Sequence, residues 1–169
     1  MESAKLPSTP PKIGLFTGSF DPVTLGHLDI IERASQLFDL LYIGIFDNPA
    51  KQPLFGLDER LQLLSSSIRS NNVKLLVHDQ DLTVNIAKKW GVTALVRSVR
   101  GEQDLAYEAN MIYFNRQMTG VETVLLVAQP ALAMISSSRI RELASYGADV
   151  SAYVPTNVNR KLREKFGKS

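Results

Sequence analysis

The residues of this chain that could do chemistry fall in a few short segments. Gly18-Ser19-Phe20-Asp21-Pro22 runs into Gly26-His27, and Lys51 lies in Asp47-Asn48-Pro49-Ala50-Lys51. Arg97-Ser98-Val99-Arg100 forms a third segment, and Gln129 through Arg139, with Ser136-Ser137-Ser138, a fourth. These segments offer hydrogen-bond donors and cations, the groups that hold and neutralise phosphate. They offer little nucleophilic chemistry. The chain has no cysteine and only His27 and His78, so a thiol nucleophile and a histidine-rich metal site are excluded. No Ser-His-Asp order, close carboxylate pair or H-E-x-x-H stands out.

Each segment admits a functional and a structural reading. Gly18 removes a side chain where the backbone is expected to turn, and Pro22 fixes the loop. A helix starting near Leu25 would aim free N–H groups and its positive dipole end at a phosphate. His27 starts the apolar stripe of that helix, so it points inward, either as a satisfied core histidine or as a phosphate donor; the glycine loop before it favours the donor. Neither G-x-x-x-x-G-K-[ST] nor G-x-G-x-x-G is present, so the turn is not a P-loop or a dinucleotide fingerprint. Lys51 alone reads as a surface lysine, and its place after a strand favours a phosphate contact. Arg97 and Arg100 fit anion binding and structural salt bridges to Glu102, Asp104 or Glu108 equally well. The serine run fits a simple helix cap or a phosphate or ribose contact.

The elements that must position these groups alternate. Strand-like runs cover Ile13 to Phe16, Leu41 to Phe46, Val73 to Val77, Thr93 to Val96 and Val121 to Val127. Helical periodicity covers Leu25 to Phe38 (stripe Ile30, Ile31, Ala34, Leu37, Phe38), Leu57 to Ile68, Leu82 to Lys89, Glu102 to Met118, Ser136 to Ser145 and about Asn157 to Phe166. Strands apolar almost throughout are buried on both faces. This predicts an α/β fold: a doubly wound, Rossmann-like five-stranded parallel sheet with helices on both faces. Ligands bind beyond the carboxyl ends of such strands, where the four segments lie.

A chain of 169 residues fits one compact domain, expected over 12–169, with a proline-containing disordered lead-in over 1–11. Lys and Arg total 19 against 17 Asp and Glu, a formal charge of +2, which argues against nucleic-acid binding. Arg160, Lys161, Arg163, Lys165 and Lys168 read as a solvated helix face and tail. No apolar run approaches the ~18 residues of a membrane helix. The absence of cysteine suits a reducing cytosol, so a cytoplasmic location is expected. Trp90 reads as packing, and His78, closing the third strand, as structural or peripheral to the site.

Together the motifs resemble the nucleotidyltransferase superfamily with a (T/H)-x-G-H signature. Gly18 to Pro22 with Thr24-Leu25-Gly26-His27 matches its first motif, and Ile135-Ser136-Ser137-Ser138 its second. Within it the chain resembles the bacterial phosphopantetheine adenylyltransferases from Lys12 to Phe166. The match includes Lys51 with Pro53 and Phe55, Glu59-Arg60, the Arg97 and Arg100 pair, Asp104 and Tyr107-Glu108. The family commonly has Thr where Ser19 stands and Gly where Ser98 stands.

The resemblance implies reversible adenylyl transfer from ATP to 4′-phosphopantetheine, giving dephospho-coenzyme A and pyrophosphate, with Mg2+ and by in-line displacement without a covalent intermediate. It implies that His27 stabilises the transition state. It places Ser19, Phe20, His27, Ser98, Val99, Arg100, Glu108, Leu132, Ala133, Met134, Ile135, Ser136, Ser137 and Ser138 at ATP, and Ser19, Lys51, Thr83 and Arg97 at the acceptor. It further implies a homohexamer and feedback inhibition by coenzyme A. A nicotinate or nicotinamide mononucleotide adenylyltransferase would usually carry H-x-G-H, where this chain has Thr24. A non-catalytic nucleotide-binding module is the alternative of another class.

Overall fold

The computed structural model describes residues 9–47, 52–78 and 83–167. Five strands, β1 (Ile13–Gly18), β2 (Leu40–Phe46), β3 (Val73–His78), β4 (Ala94–Val99) and β5 (Glu122–Val127), form one sheet. Its order is β3-β2-β1-β4-β5, and every pairing is parallel. The helices are α1 (Leu25–Ser35), α2 (Leu57–Ser65), α3 (Thr83–Lys89), α4 (Glu102–Thr119), α5 (Ser137–Ser145) and α6 (Thr156–Phe166). This is the doubly wound, Rossmann-like sheet that the alternation predicts. The strand order reverses between β1 and β4, and a crevice opens beyond the strands at such a switch point.

The core lies on both faces of the sheet. One apolar cluster joins Phe16, Ile43, Ile45 and Val96 to Ile30 and Ile31 of α1, Leu64 of α2, Ile140 of α5 and Val158 of α6. The other joins Leu15, Tyr42 and Leu95 to Ile86 and Ala87 of α3. Fully burying each such Leu, Ile or Phe contributes ~1.5–3 kcal/mol. Two-sided burial describes β1, β2 and much of β4, but edge strand β5 is only partly covered.

Several boundaries differ from the sequence reading. α1 ends at Ser35, so Leu37 falls outside the stripe and is exposed, while Phe38 is buried in the following turn. β4 runs on through Val99, so Arg97 and Ser98 sit in the strand and not after it. Hydrogen bonds to β5 (Arg97 opposite Leu125, Ser98 opposite Leu126) continue the ladder past the apolar run. Trp90 stays partly exposed but packs on Tyr42, ring centroids 5.4 Å apart. α4 buries little: Glu108 is its buried residue, whereas Tyr107, Met111, Tyr113, Phe114 and Met118 are exposed. Residues 1–8 of the expected lead-in, Lys51, Leu82 at the expected start of the third helix and Lys168 lie outside the described residues.

Gly14 lets β1 pass under Phe38. A Cβ there would sit 2.8 Å from the Phe38 ring and 3.0 Å from Leu41. Gly14→Ala is expected to cost ~1–3 kcal/mol by overpacking, measured as a lower denaturation midpoint at unchanged slope.

Candidate active site

The crevice between β1 and β4 is a cavity of about 370 Å³. It is walled by Thr17 and Gly18 at the end of β1, Gly26 and His27 of α1, Arg97 and Ser98 of β4, Arg100, Asp104 and Glu108 beyond it, and Leu132, Ile135, Ser136 and Ser137 before and in α5.

The loop from β1 to α1 is built differently from expectation. Gly18 remains in the strand, and Phe20 carries the positive φ of 46°, followed by a cis Asp21-Pro22 bond. Gly18 is needed for close approach, since a Cβ there would lie 3.1 Å from the Phe20 ring. That ring is buried and meets His27 edge-on at 5.0 Å. Three charged groups pin the loop. The Asp21 carboxylate, buried, accepts from Leu54 N–H at 2.8 Å and Phe55 N–H at 2.9 Å. Arg141 of α5 donates to the Asp21 backbone carbonyl. Arg60 of α2, 2% exposed, donates to the carbonyls of Ser19 (3.1 Å), Phe46 (3.0 Å) and Phe55 (3.1 Å) and to Asp47.

His27 is both a helix residue and a ring donor. Thr24 N-caps α1: the His27 N–H donates to Thr24 Oγ1 at 3.3 Å, and Thr24 N–H donates to His27 Nδ1 at 3.1 Å. A backbone N–H can only donate, so Nδ1 must be the lone-pair nitrogen. The proton of the neutral ring therefore sits on Nε2. Burial, and secondarily the charge of Arg100, push the His27 pKa down from 6.5 to about 4, so the ring is neutral at neutral pH. The capping box thus presents a neutral Nε2–H donor.

The helix ends supply fewer free donors than expected. Leu25 N–H is taken by the Tyr153 carbonyl at 3.0 Å and His27 N–H by Thr24, leaving Gly26 N–H without a partner among the described residues. At α5, Ser136 is a cap, its Oγ accepting from Arg139 N–H at 3.2 Å, and Ser137 Oγ donates to the Pro22 carbonyl at 2.8 Å. The simple-cap reading therefore holds for Ser136, while Ser136 and Ser137 also face the cavity. The N–H groups of Ser137 and Ser138 have no partner among the described residues.

Both arginines meet carboxylates. Arg97 grips Glu108 with its Nε 3.0 Å from each carboxylate oxygen and also donates to Thr17 Oγ1 at 3.3 Å. Arg100 donates from Nε to Asp104 at 2.8 Å; that bond lowers the Asp104 pKa and raises that of Arg100. Glu102 pairs with neither. The salt-bridge and anion-facing readings coincide, because the paired arginines still wall the cavity.

Of the residues singled out in the sequence, His27, Arg97, Ser98, Arg100, Glu108, Leu132, Ile135, Ser136 and Ser137 come together here. Thr83 joins Arg97, Tyr107 and Glu108 around an adjoining cavity of about 170 Å³. Ala133 and Met134 line another adjoining cavity. Ser19 and Ser138 are exposed and Val99 is buried, and none of these three walls the main cavity. Sequence reasoning named Asp104 as a salt-bridge partner, which it is for Arg100, but gave Arg60 no role of its own and passed over Arg141; a charge within an apolar helical pattern is the signal that marks Arg60.

Known proteins resemble this chain closely. Residues 15–143 match the cytidylyltransferase-like family model. A phosphopantetheine adenylyltransferase of Lactococcus lactis is 59% identical over 90% of this chain and 95% of its own. The chain belongs to the phosphopantetheine adenylyltransferase family. A member from Streptococcus suis is 47% identical over 90% of this chain and 96% of its own. The fold matches a nicotinic acid mononucleotide adenylyltransferase of Plasmodium falciparum, complexed with NaAD, at TM-score 0.67 and 15% identity over 92% of this chain and 95% of that one.

The depressed pKa of His27 sets a pH dependence. The unfolded chain binds this proton near pH 6.5 and the folded one near 4, so His27 contributes its full stability above pH 6.5 and loses it as pH falls towards 4. An NMR titration of the His27 ring is expected to give a midpoint near 4. His27→Gln is expected to flatten the fall of stability over that window, and a midpoint at the ordinary histidine value would contradict the geometry.

Proposed function

We propose that this chain transfers an adenylyl group from ATP to 4′-phosphopantetheine, forming dephospho-coenzyme A and pyrophosphate, with residues 12–169 acting as one nucleotidyltransferase domain. The observation that carries this reading is the neutral Nε2–H of His27, held by Thr24, in a cavity walled by Arg97, Arg100 and the start of α5. An acceptor phosphate oxygen attacks the α-phosphorus of ATP, and the bond to the β-phosphate oxygen breaks in line with it. His27 donates to the oxygen on which charge grows, which is worth most in a water-poor cavity. Gly26 N–H and the free N–H groups at the start of α5 take further phosphate oxygens. Thr83 and Arg97, together at the smaller adjoining cavity, suit the pantetheine arm and its phosphate. Ser19 and Lys51 are assigned to the acceptor phosphate on the family resemblance alone.

Among the described residues no group of three or more His, Asp or Glu could hold a metal. Magnesium would therefore arrive on the phosphates of ATP, with water completing its shell. No helix among the described residues is long and apolar enough to cross a membrane, and a cytoplasmic location fits a chain without cysteine. The homohexamer expected from the family is supported by the exposed apolar residues of α4, which suit contact with another copy. Feedback by coenzyme A fits a site that must already accept its pantetheine arm.

The protein mixed with ATP, magnesium and 4′-phosphopantetheine is expected to release pyrophosphate. Release with nicotinate mononucleotide instead would replace this assignment by the related adenylyltransferase, and none with either acceptor would favour a binding module. His27→Ala is expected to remove ~2–4 kcal/mol of transition-state stabilisation while ATP binding changes little. Equal losses in binding and turnover would remove the proposed role.

A further inference from the structure

We infer that Arg139, in the first turn of α5, binds the β- and γ-phosphates of ATP and so holds the pyrophosphate leaving group; this rests on ATP being the donor. Two further cavities adjoin the main one through different residues. The first shares Arg97, Tyr107 and Glu108 with it and contains Thr83. The second, of about 540 Å³, shares Arg100, Asp104 and Ser136 with it and contains Arg139. In-line displacement requires the attacking and leaving oxygens on opposite sides of the α-phosphorus. With the acceptor at the Thr83 cavity, the leaving pyrophosphate points to the Arg139 cavity, the more open of the two for product exit.

Charge supports the same direction. Arg97 is neutralised by Glu108 and Arg100 by Asp104, so these pairs bring little net charge to a triphosphate. Arg139 is exposed, and its guanidinium has no hydrogen-bond or carboxylate partner among the described residues. Glu102 lines the same cavity but is in no ion pair with it. A solvated surface arginine would also be unpaired; the difference here is that Ser136, whose Oγ accepts from the Arg139 N–H, walls the main cavity as well. The guanidinium fork matches a terminal phosphate in two-point contact.

The test is Arg139→Ala, read in both directions of the reaction and by calorimetric titration of inorganic pyrophosphate into the protein. KM for ATP and pyrophosphate should rise about ten-fold, the order expected for one partly screened charge-assisted contact. AMP affinity and KM for 4′-phosphopantetheine should stay unchanged, and Arg139→Lys should recover part of the loss. Unchanged KM for ATP and pyrophosphate would overturn the inference. So would equal weakening of ATP, AMP and acceptor, which marks a structural role; a thermal melt of both variants checks that they fold. If the unaltered protein binds pyrophosphate but turns over no acceptor, the activity fails while the calorimetric comparison still decides the role of Arg139.

Discussion

The active-site crevice depends on how the segment after β1 is held. Ser19 to Pro22 has no regular structure, contains a positive-φ phenylalanine, and must nonetheless seat the Phe20 ring against His27. Two buried charges fix it. The Asp21 carboxylate takes two backbone N–H groups from the segment leading into α2, and Arg60 takes three carbonyls, from Ser19 just after β1, from the end of β2 and from the same segment. Removing one partner of such a buried charged network typically costs ~3–5 kcal/mol, because the other is left uncompensated. The network ties the ends of β1 and β2 to α2, and Arg141 adds α5. The β1 and α5 walls of the crevice are thus referenced to the same loop.

That rigidity gives the electrostatics their meaning. His27 is kept neutral by burial, and its proton is kept on Nε2 by a backbone N–H that can only donate. The donor is ready before substrate arrives, so no ring reorientation accompanies the growth of charge. Arg97 and Arg100 are held by Glu108 and Asp104 in the same way, which spares two unpaired guanidinium groups at adjacent strand and loop positions. Positioning and charge stabilisation, without a protein nucleophile, are what this arrangement can supply.

The sheet, its parallel sense and the helices were legible because apolar runs and helical stripes alternate cleanly from Ile13 onward. The clustering of His27, Arg97, Arg100, Ser136 and Ser137 was legible because all lie at or beyond strand ends or at helix starts. Local spacing missed what tertiary contacts decide. Arg97 and Ser98 look like loop residues until pairing with β5 extends the strand through them. The turn belongs to Phe20 and not Gly18, since glycine serves there to admit a ring from two residues on. Two of the free N–H groups expected at α1, those of Leu25 and His27, are consumed by Tyr153 and by the capping Thr24, partners that periodicity does not reveal. Arg60 is a charge whose three carbonyl partners come from three different segments.

The central claim is that the chain aligns two substrates for a single direct displacement at the α-phosphorus. Its most direct measurement is the stereochemical course with ATP made chiral at that phosphorus and 4′-phosphopantetheine as acceptor. One displacement predicts inversion of configuration in the dephospho-coenzyme A formed. Retention would require two displacements through an adenylylated protein group and would contradict the account.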